Sequence, residues 1–222
     1  MTDDRRLIAA VLANLPMLGQ VAPAEMQVLA QRSFAARVQR GVLIVSTGAR
    51  LPGVYAVAYG SVKLALRNGG PDTRVLRLVS ARQSFGEAAA LLGKPAPYEA
   101  SALAESKVVV IPTAALLALV ERDLRFARGL VMALAERKLE VYREMHTATL
   151  LTGAQRLAAA LHEIAGNDAV ARLPFSKTVL AAKLGLTKET LSRLLRQFAG
   201  DGLIRVERRE IAILDRARLT EV

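Results

Sequence analysis

The sequence predicts an α+β fold: a mainly β N-terminal half, one long helix, and a C-terminal pair of short helices followed by a two-stranded hairpin. Three observations predict it. Short runs rich in Val, Leu and Tyr fill residues 35–112 and are punctuated by Gly, Pro, Asn or Asp. Residues 123–150 then keep a helical period without a proline, and residues 176–198, SKTVLAAKLGLTKETLSRLLRQF, carry two helical apolar stripes around a glycine.

The elements follow in order. Leu7, Ile8, Val11 and Leu12 share one face of a first helix, and Pro23 opens a second that runs through Leu29. From Phe34 the period changes. The runs VLIVS, GVYAVAYGSVKLAL, TRVLRLVS and SKVVVIP have the composition and spacing of an all-β sandwich or barrel. After Pro112 the pattern is helical again, and Gly129 is the strongest interruption between Asp123 and Leu150, so one long helix is expected there. Along it Leu124, Ala127, Val131, Leu134, Lys138, Val141, Met145 and Ala148 alternate spacings of three and four, a seam of about four heptads that suits pairing of two such helices. Lys138 sits at a core position of that seam, where a polar residue sets register at a cost in stability. The same stripe could instead cover the β-domain of its own chain. These patterns divide the chain into a mainly β domain (1–120), a dimerisation helix and hinge (121–151, with the hinge near Thr152 and Gly153), and a C-terminal domain (152–222).

Within the C-terminal domain, Leu180, Ala181 and Leu184 recur at helical spacing, Gly185 supplies the stop, and Thr187 supplies an N-cap oxygen for a helix starting at Lys188. Leu191, Leu194, Leu195 and Phe198 form its apolar face, leaving Lys188, Glu189, Ser192, Arg193 and Arg196 on the other. Arg193 can give two hydrogen bonds to guanine, Glu189 can accept from a cytosine amine, and Ser192 is short enough to lie beside a thymine; each good pair discriminates by roughly 1–3 kcal/mol. Two short strands, Leu203 to Glu207 and Ile211 to Leu214, follow around the polar turn Arg208, Arg209 and Glu210, whose arginines suit phosphate. Between Arg172 and Arg209 nine Lys or Arg stand against three acids. That surplus points to double-stranded DNA as partner. Ser176, Lys177 and Thr187 at the helix starts complete the candidate contact set.

Composition narrows the remaining classes. A net charge of +11 favours a polyanion, yet residues 1–151 hold nineteen basic against twelve acidic side chains without a polybasic cluster, which argues against a lipid surface. The apolar run of residues 108–120 is too short for a membrane span and contains Pro112, and the longer uncharged run of residues 7–24 is broken by Asn14, Pro16, Gly19, Gln20 and Pro23. Arg5 and Arg6 before LIAAVLA imitate a signal peptide, but Asp3 and Asp4 precede them and Asn14 and Pro16 interrupt the apolar run, so cytoplasmic residence is expected. The absence of cysteine removes disulfides, thiolate nucleophiles and cysteine-ligated iron–sulfur clusters. No metal-ligand spacing, phosphate loop or nucleophile elbow points to an enzyme. The competing class is a sensor module that regulates a protein partner without touching DNA.

The helix–turn–helix at 176–198 and the hairpin GLIRVERREIAILDRARL (202–219) resemble the DNA-binding domain and wing of the Crp/Fnr family of bacterial transcription regulators. The order of β-runs, with Gly60 in YGSVKL, resembles the cyclic-nucleotide-binding jelly roll of that family, so the resemblance covers nearly the whole chain. It implies a winged helix-turn-helix, a homodimer, allosteric control through the β-domain and RNA polymerase as a partner. Glu189, Ser192 and Arg193 match the Glu-x-x-Ser-Arg of the Fnr branch, which implies inverted TTGAT-like half-sites.

The run FGEAAALLGKPAPYEASALAES (85–106) resembles the phosphate-binding cassette of the family. Gly86, Glu87 and Ala88 open it, and Lys94, Ala96, Pro97 and Tyr98 continue the expected effector pocket, but the Arg-Ser clamp for a cyclic phosphate reads Ala96-Pro97. No arginine lies between Arg82 and Arg122, and Lys94 offers only a point charge, so cyclic AMP is not the expected effector. The variant cassette looks like that of Dnr-like regulators, a branch linked to nitrogen oxides, which makes haem a candidate cofactor with His146 or His162 as ligand.

Overall fold

Pro23 starts the second of two leading helices, as its fixed φ favours: α1 (Asp3–Ala13) and α2 (Pro23–Arg32) are joined through a 3-10 turn at Pro16–Leu18. The computed structural model describes residues 3–67 and 73–222; the Gly-Pro-Asp punctuation at 70–72 lies outside them. Strands β1 (Phe34–Val38), β2 (Leu43–Val45), β3 (Gly53–Tyr59), β4 (Ser61–Arg67), β5 (Thr73–Ser80) and β6 (Ser84–Phe85) follow. After the short α3 (Glu87–Leu91) come β7 (Glu99–Ala102) and β8 (Ser106–Pro112). They form two four-stranded sheets, ordered β1-β8-β3-β6 and β2-β7-β4-β5. Strand β7 emerges from within the cassette, where small residues and a flanking Tyr-Glu hide a strand period.

Strands β3 and β8 are nearly continuous apolar runs because both their faces are covered. Tyr55, Val57, Val108 and Val110 face Val62, Leu64, Ala100 and Ala102 of the other sheet. Val54, Ala56, Val109 and Ile111 point the opposite way, into a second core with Leu12, Leu18, Leu116 and Phe126 from the helices. Antiparallel pairing from Gly53↔Pro112 to Val57↔Val108 holds the two strands in register. Gly60 makes the turn to β4 at φ +84; a Cβ there would run into the Ser106 side chain and the Glu105 carbonyl. The buried Ser106 hydroxyl accepts the Ser61 N–H at 3.1 Å and donates to the Ala104 carbonyl at 2.9 Å.

Helices α4 (Thr113–Arg122) and α5 (Leu124–Leu150) continue the chain. The Asp123 carboxylate accepts the N–H groups of Arg125 and Phe126 at 2.9 and 3.2 Å, which starts α5. Two compact units divide on this helix, between Leu139 and Glu140. At its other end, Thr152 and Gln155 make both bonds of a capping box for α6 (Gly153–Ala165), and Arg156 donates to the Leu151 carbonyl at 2.8 Å. The junction read as a hinge is thus hydrogen-bonded on both sides of Thr152. Among the described residues no helix is long and apolar enough to cross a membrane.

The second unit contains β9 (Val170–Arg172), α7 (Lys177–Leu184), α8 (Lys188–Gly200), β10 (Ile204–Glu207), β11 (Glu210–Ile213) and α9 (Arg216–Thr220). Strand β9 pairs with β11 and widens the expected hairpin to three strands, ordered β10-β11-β9. Three residues carry too little pattern to announce a strand. Leu157, Leu161, Leu180, Leu191, Phe198, Ile204, Ile211 and Leu219 meet in one core. Phe198 is 1% exposed in that core, so Phe198→Ala is expected to cost about 3–5 kcal/mol, lowering the urea midpoint followed by circular dichroism, whereas the exposed Gln197→Ala leaves it nearly unchanged.

Candidate nucleic-acid interface and effector pocket

Local chemistry shapes the α7–turn–α8 unit. The Ser176 hydroxyl accepts the Val179 N–H at 3.3 Å and caps α7; Gly185, at φ +64, ends it in the left-handed conformation that a side chain resists. The Thr187 hydroxyl oxygen then accepts the Thr190 N–H at 3.1 Å and caps α8. Leu191, Leu194, Leu195 and Phe198 are buried, while Lys188, Glu189, Ser192, Arg193 and Arg196 are all exposed. A single helical face therefore presents the five side chains singled out for base reading.

The Glu189 carboxylate is held below the usual glutamate range, first by its own backbone N–H and then by the Thr187 hydroxyl. It is ionised at neutral pH and accepts only, as a cytosine amine requires. A groove of about 280 Å³ lies against α8, lined by Lys177, Lys188, Ser192, Arg196 and, from β10, Val206. Lys177 is half-buried in its wall. Arg208 lies at the exposed tip between β10 and β11, in a two-residue turn closed by the Glu207–Glu210 pair.

The cassette occupies the other unit. Gly86 joins β6 to α3 at φ +93, and a Cβ there would stand 2.9 Å from Leu51. Glu87 is half-buried at the start of α3, while Ala88 and Lys94 are exposed. Ala96 is 1% exposed and belongs to the inter-sheet core, Pro97 is exposed, and Tyr98 packs half-buried against the same core. Backbone bonds of 2.8 Å from Gly48 to the Ala96 carbonyl and from Ala96 to the Ala49 carbonyl tie the loop down. Where a clamp would project, the chain instead puts a methyl into the core and a proline without an N–H.

Lys94, expected in the effector pocket, is exposed; Arg77, on β5 and outside the cassette, donates to the Ser84 carbonyl on β6 at 2.9 Å and so bridges the two sheets. The Tyr98 hydroxyl is pushed up to about 12, by burial first and by the Glu87 charge second, with Arg77 opposing. Glu87 and Arg77 thus both act on Tyr98, and the rings of Tyr55 and Phe85 stack with centroids 5.0 Å apart. The signal was present in TRVLRLVS: Arg77 shares one face of the strand with Val75 and Val79, both buried.

Along α5, Phe126 and Leu130 are buried in their own chain and Ala127 is half-buried. Of the other seam positions, Leu124, Val131, Leu134, Lys138, Val141 and Met145 are exposed and Ala148 is half-buried. Met132, Leu139 and Tyr142, which the heptad count passed over, are exposed beside them. His146 is exposed on the same helix. His162 is half-buried on α6 with its Nε2 3.2 Å from the Thr220 hydroxyl. Both histidines belong to the second unit, not to the β-domain, and no group of three or more metal-binding side chains exists among the described residues.

Burial, then the Arg216 charge, lowers the affinity of His162 for a proton. Because the unfolded chain binds that proton more readily, its contribution to stability is complete above the ordinary histidine value and is lost as pH falls below about 6.5. Thermal unfolding between pH 7.5 and 5.5 is expected to show a smaller acid loss for His162→Gln than for the unsubstituted protein.

Comparisons with known proteins agree along the chain. Residues 35–123 match the cyclic nucleotide-binding domain family, and residues 155–222 match the Crp-like helix-turn-helix domain. The cyclic AMP receptor protein of Thermus thermophilus is 29% identical over 206 residues, spanning 90% of this chain and 95% of its own. The fold is that of FixK2 from Bradyrhizobium japonicum, with a TM-score of 0.73 at 23% identity over 85% of this chain and 96% of that one. A CRP/FNR-family transcriptional regulator, also from Thermus thermophilus, aligns at a TM-score of 0.66 and 26% identity, over 84% of this chain and 96% of its own. With a sensor-type β-domain, a long helix and a helix-turn-helix in that order, the chain belongs to the Crp/Fnr family of DNA-binding transcriptional regulators.

Proposed function

We propose that this regulator acts as a homodimer that reads an inverted TTGAT-like repeat, under the control of an effector in the β-domain that is not cyclic AMP. The observation that carries the DNA reading is the common exposure of Glu189, Ser192 and Arg193 on α8, whose opposite face is buried. Arg193 meets guanine and Glu189 meets the cytosine amine, while Ser192 lies beside a thymine. Ser176, Lys177, Thr187, Lys188, Arg196 and Arg208 supply phosphate and groove contacts around them. The exposed seam from Val131 to Met145 pairs with its copy, since Phe126 and Leu130 already satisfy the chain's own core. A two-fold axis along that pair gives two recognition helices for two half-sites, and RNA polymerase is the partner such a bound dimer addresses.

Control follows from population shift: the effector binds more tightly to one pairing of the α5 helices than to another, and the pairing sets the recognition helices. Arg77 and Glu87 suit a ligand that combines an anionic group with a hydroxyl or amine. Both histidines belong to the other unit, so haem held within the β-domain would take a different axial ligand, such as Tyr98.

Two measurements test the reading. In gel shifts the protein is expected to bind an inverted TTGAT repeat far more tightly than a single half-site, and Glu189→Ala or Arg193→Ala to lose roughly 1–3 kcal/mol per half-site with folding intact. Equal binding by both variants overturns the assignment. In isothermal titration, cyclic AMP is expected to show no micromolar binding to the intact protein; micromolar or tighter binding refutes the effector reading.

A further inference from the structure

The wing tip holds one of two non-glycine residues at positive φ among those described: Arg208, at φ 48. Left-handed backbone costs an L side chain roughly 1–2 kcal/mol, and glycine or asparagine occupies such a turn more easily. The turn has little freedom to relax, since the Arg209 carbonyl accepts the Leu173 N–H at 2.9 Å and the Glu207–Glu210 pair closes it. Both neighbouring carboxylates are engaged: Glu207 with Arg205 at 2.8 Å and Glu210 with Arg172 at 3.1 Å. Two exposed guanidinium groups, Arg208 and Arg209, thus cap a hairpin whose acids are already matched.

A phosphate contact needs only positive charge near the backbone, and the exposed, unstrained Arg209 supplies it. A strained position is retained where direction matters. We propose that Arg208 enters the minor groove beside the half-site read by α8, so that the wing adds a preference for A·T-rich flanks. Narrow A·T minor grooves concentrate negative potential and favour arginine, whose guanidinium sheds water more readily than a lysine ammonium. The inference rests on α8 docking in the major groove, and it assigns sequence discrimination to a residue outside the recognition helix.

Fluorescence anisotropy of the full-length protein on four duplexes tests it: TTGAT repeat or scrambled core, each with A·T-rich or G·C-rich flanks. The unsubstituted protein is expected to prefer A·T flanks by about fivefold on both cores, and Arg208→Lys and Arg208→Gly to lose that preference while Arg209→Ala keeps it. Arg208→Gly is also expected to melt at a higher temperature, which separates lost contact from lost fold. The proposal is overturned if flanks make no difference to the unsubstituted protein. It is equally overturned if Arg208→Gly weakens all four duplexes alike and lowers the salt slope by about one, the mark of a phosphate contact. Loss of discrimination between TTGAT and scrambled cores, with the flank preference intact, counts against the half-site reading alone.

Discussion

Burial of one face of α8 is the interaction on which the DNA-binding half depends. Leu191, Leu194, Leu195 and Phe198 sit in a core shared with α6, α7 and the three-stranded sheet, which fixes the rotation of the helix about its own axis. Rotation is what matters for reading bases, because a turn of one residue would replace Arg193 with a leucine at the surface. The caps at Ser176 and Thr187 and the left-handed Gly185 fix where each helix starts and stops, so the reading face has a defined height as well as a defined direction. One side of the thirteen-residue helix is buried in the core, and the opposite side carries the residues proposed to read bases.

An equivalent division governs the β-domain. Strands β3 and β8 are covered on both faces, so their sequence is apolar throughout and the polar chemistry is displaced to the edge strands β5 and β6 and to the cassette. Arg77 exploits that edge: it reaches from one sheet to the other without leaving a charge in the sealed middle. Ala96 shows the opposite choice, with a core methyl where a ligand-binding fork would stand.

Helix α5 carries two stripes with different tasks. Phe126 and Leu130 anchor it to the β-domain, while Val131, Leu134, Val141 and Met145 remain uncovered in the single chain. A heptad count on the sequence finds the second stripe because it repeats, and it passes over Met132, Leu139 and Tyr142, which widen the exposed face beyond a two-residue seam. The junction at Thr152 has the reverse character. The end of the long helix marks it as a hinge in the sequence, and in the structure the capping box and Arg156 hydrogen-bond its backbone.

Much of this architecture is local in origin and so was legible in the sequence. Helical period, Gly185, Thr187 and the alternation of Val and Leu depend on neighbours three to four residues away, and they placed α7, α8, α5 and the main strands without tertiary information. The same locality located Glu189, Ser192 and Arg193 on a free face. Tertiary structure decided what depends on distant pairing: β9 exists because β11 lies beside it, Ala96 is core because the 48–49 segment clamps its loop, and Arg77 joins the pocket because two sheets meet. Arg208 belongs to this second group, since its left-handed backbone is imposed by strand pairing on either side of it rather than chosen by an arginine.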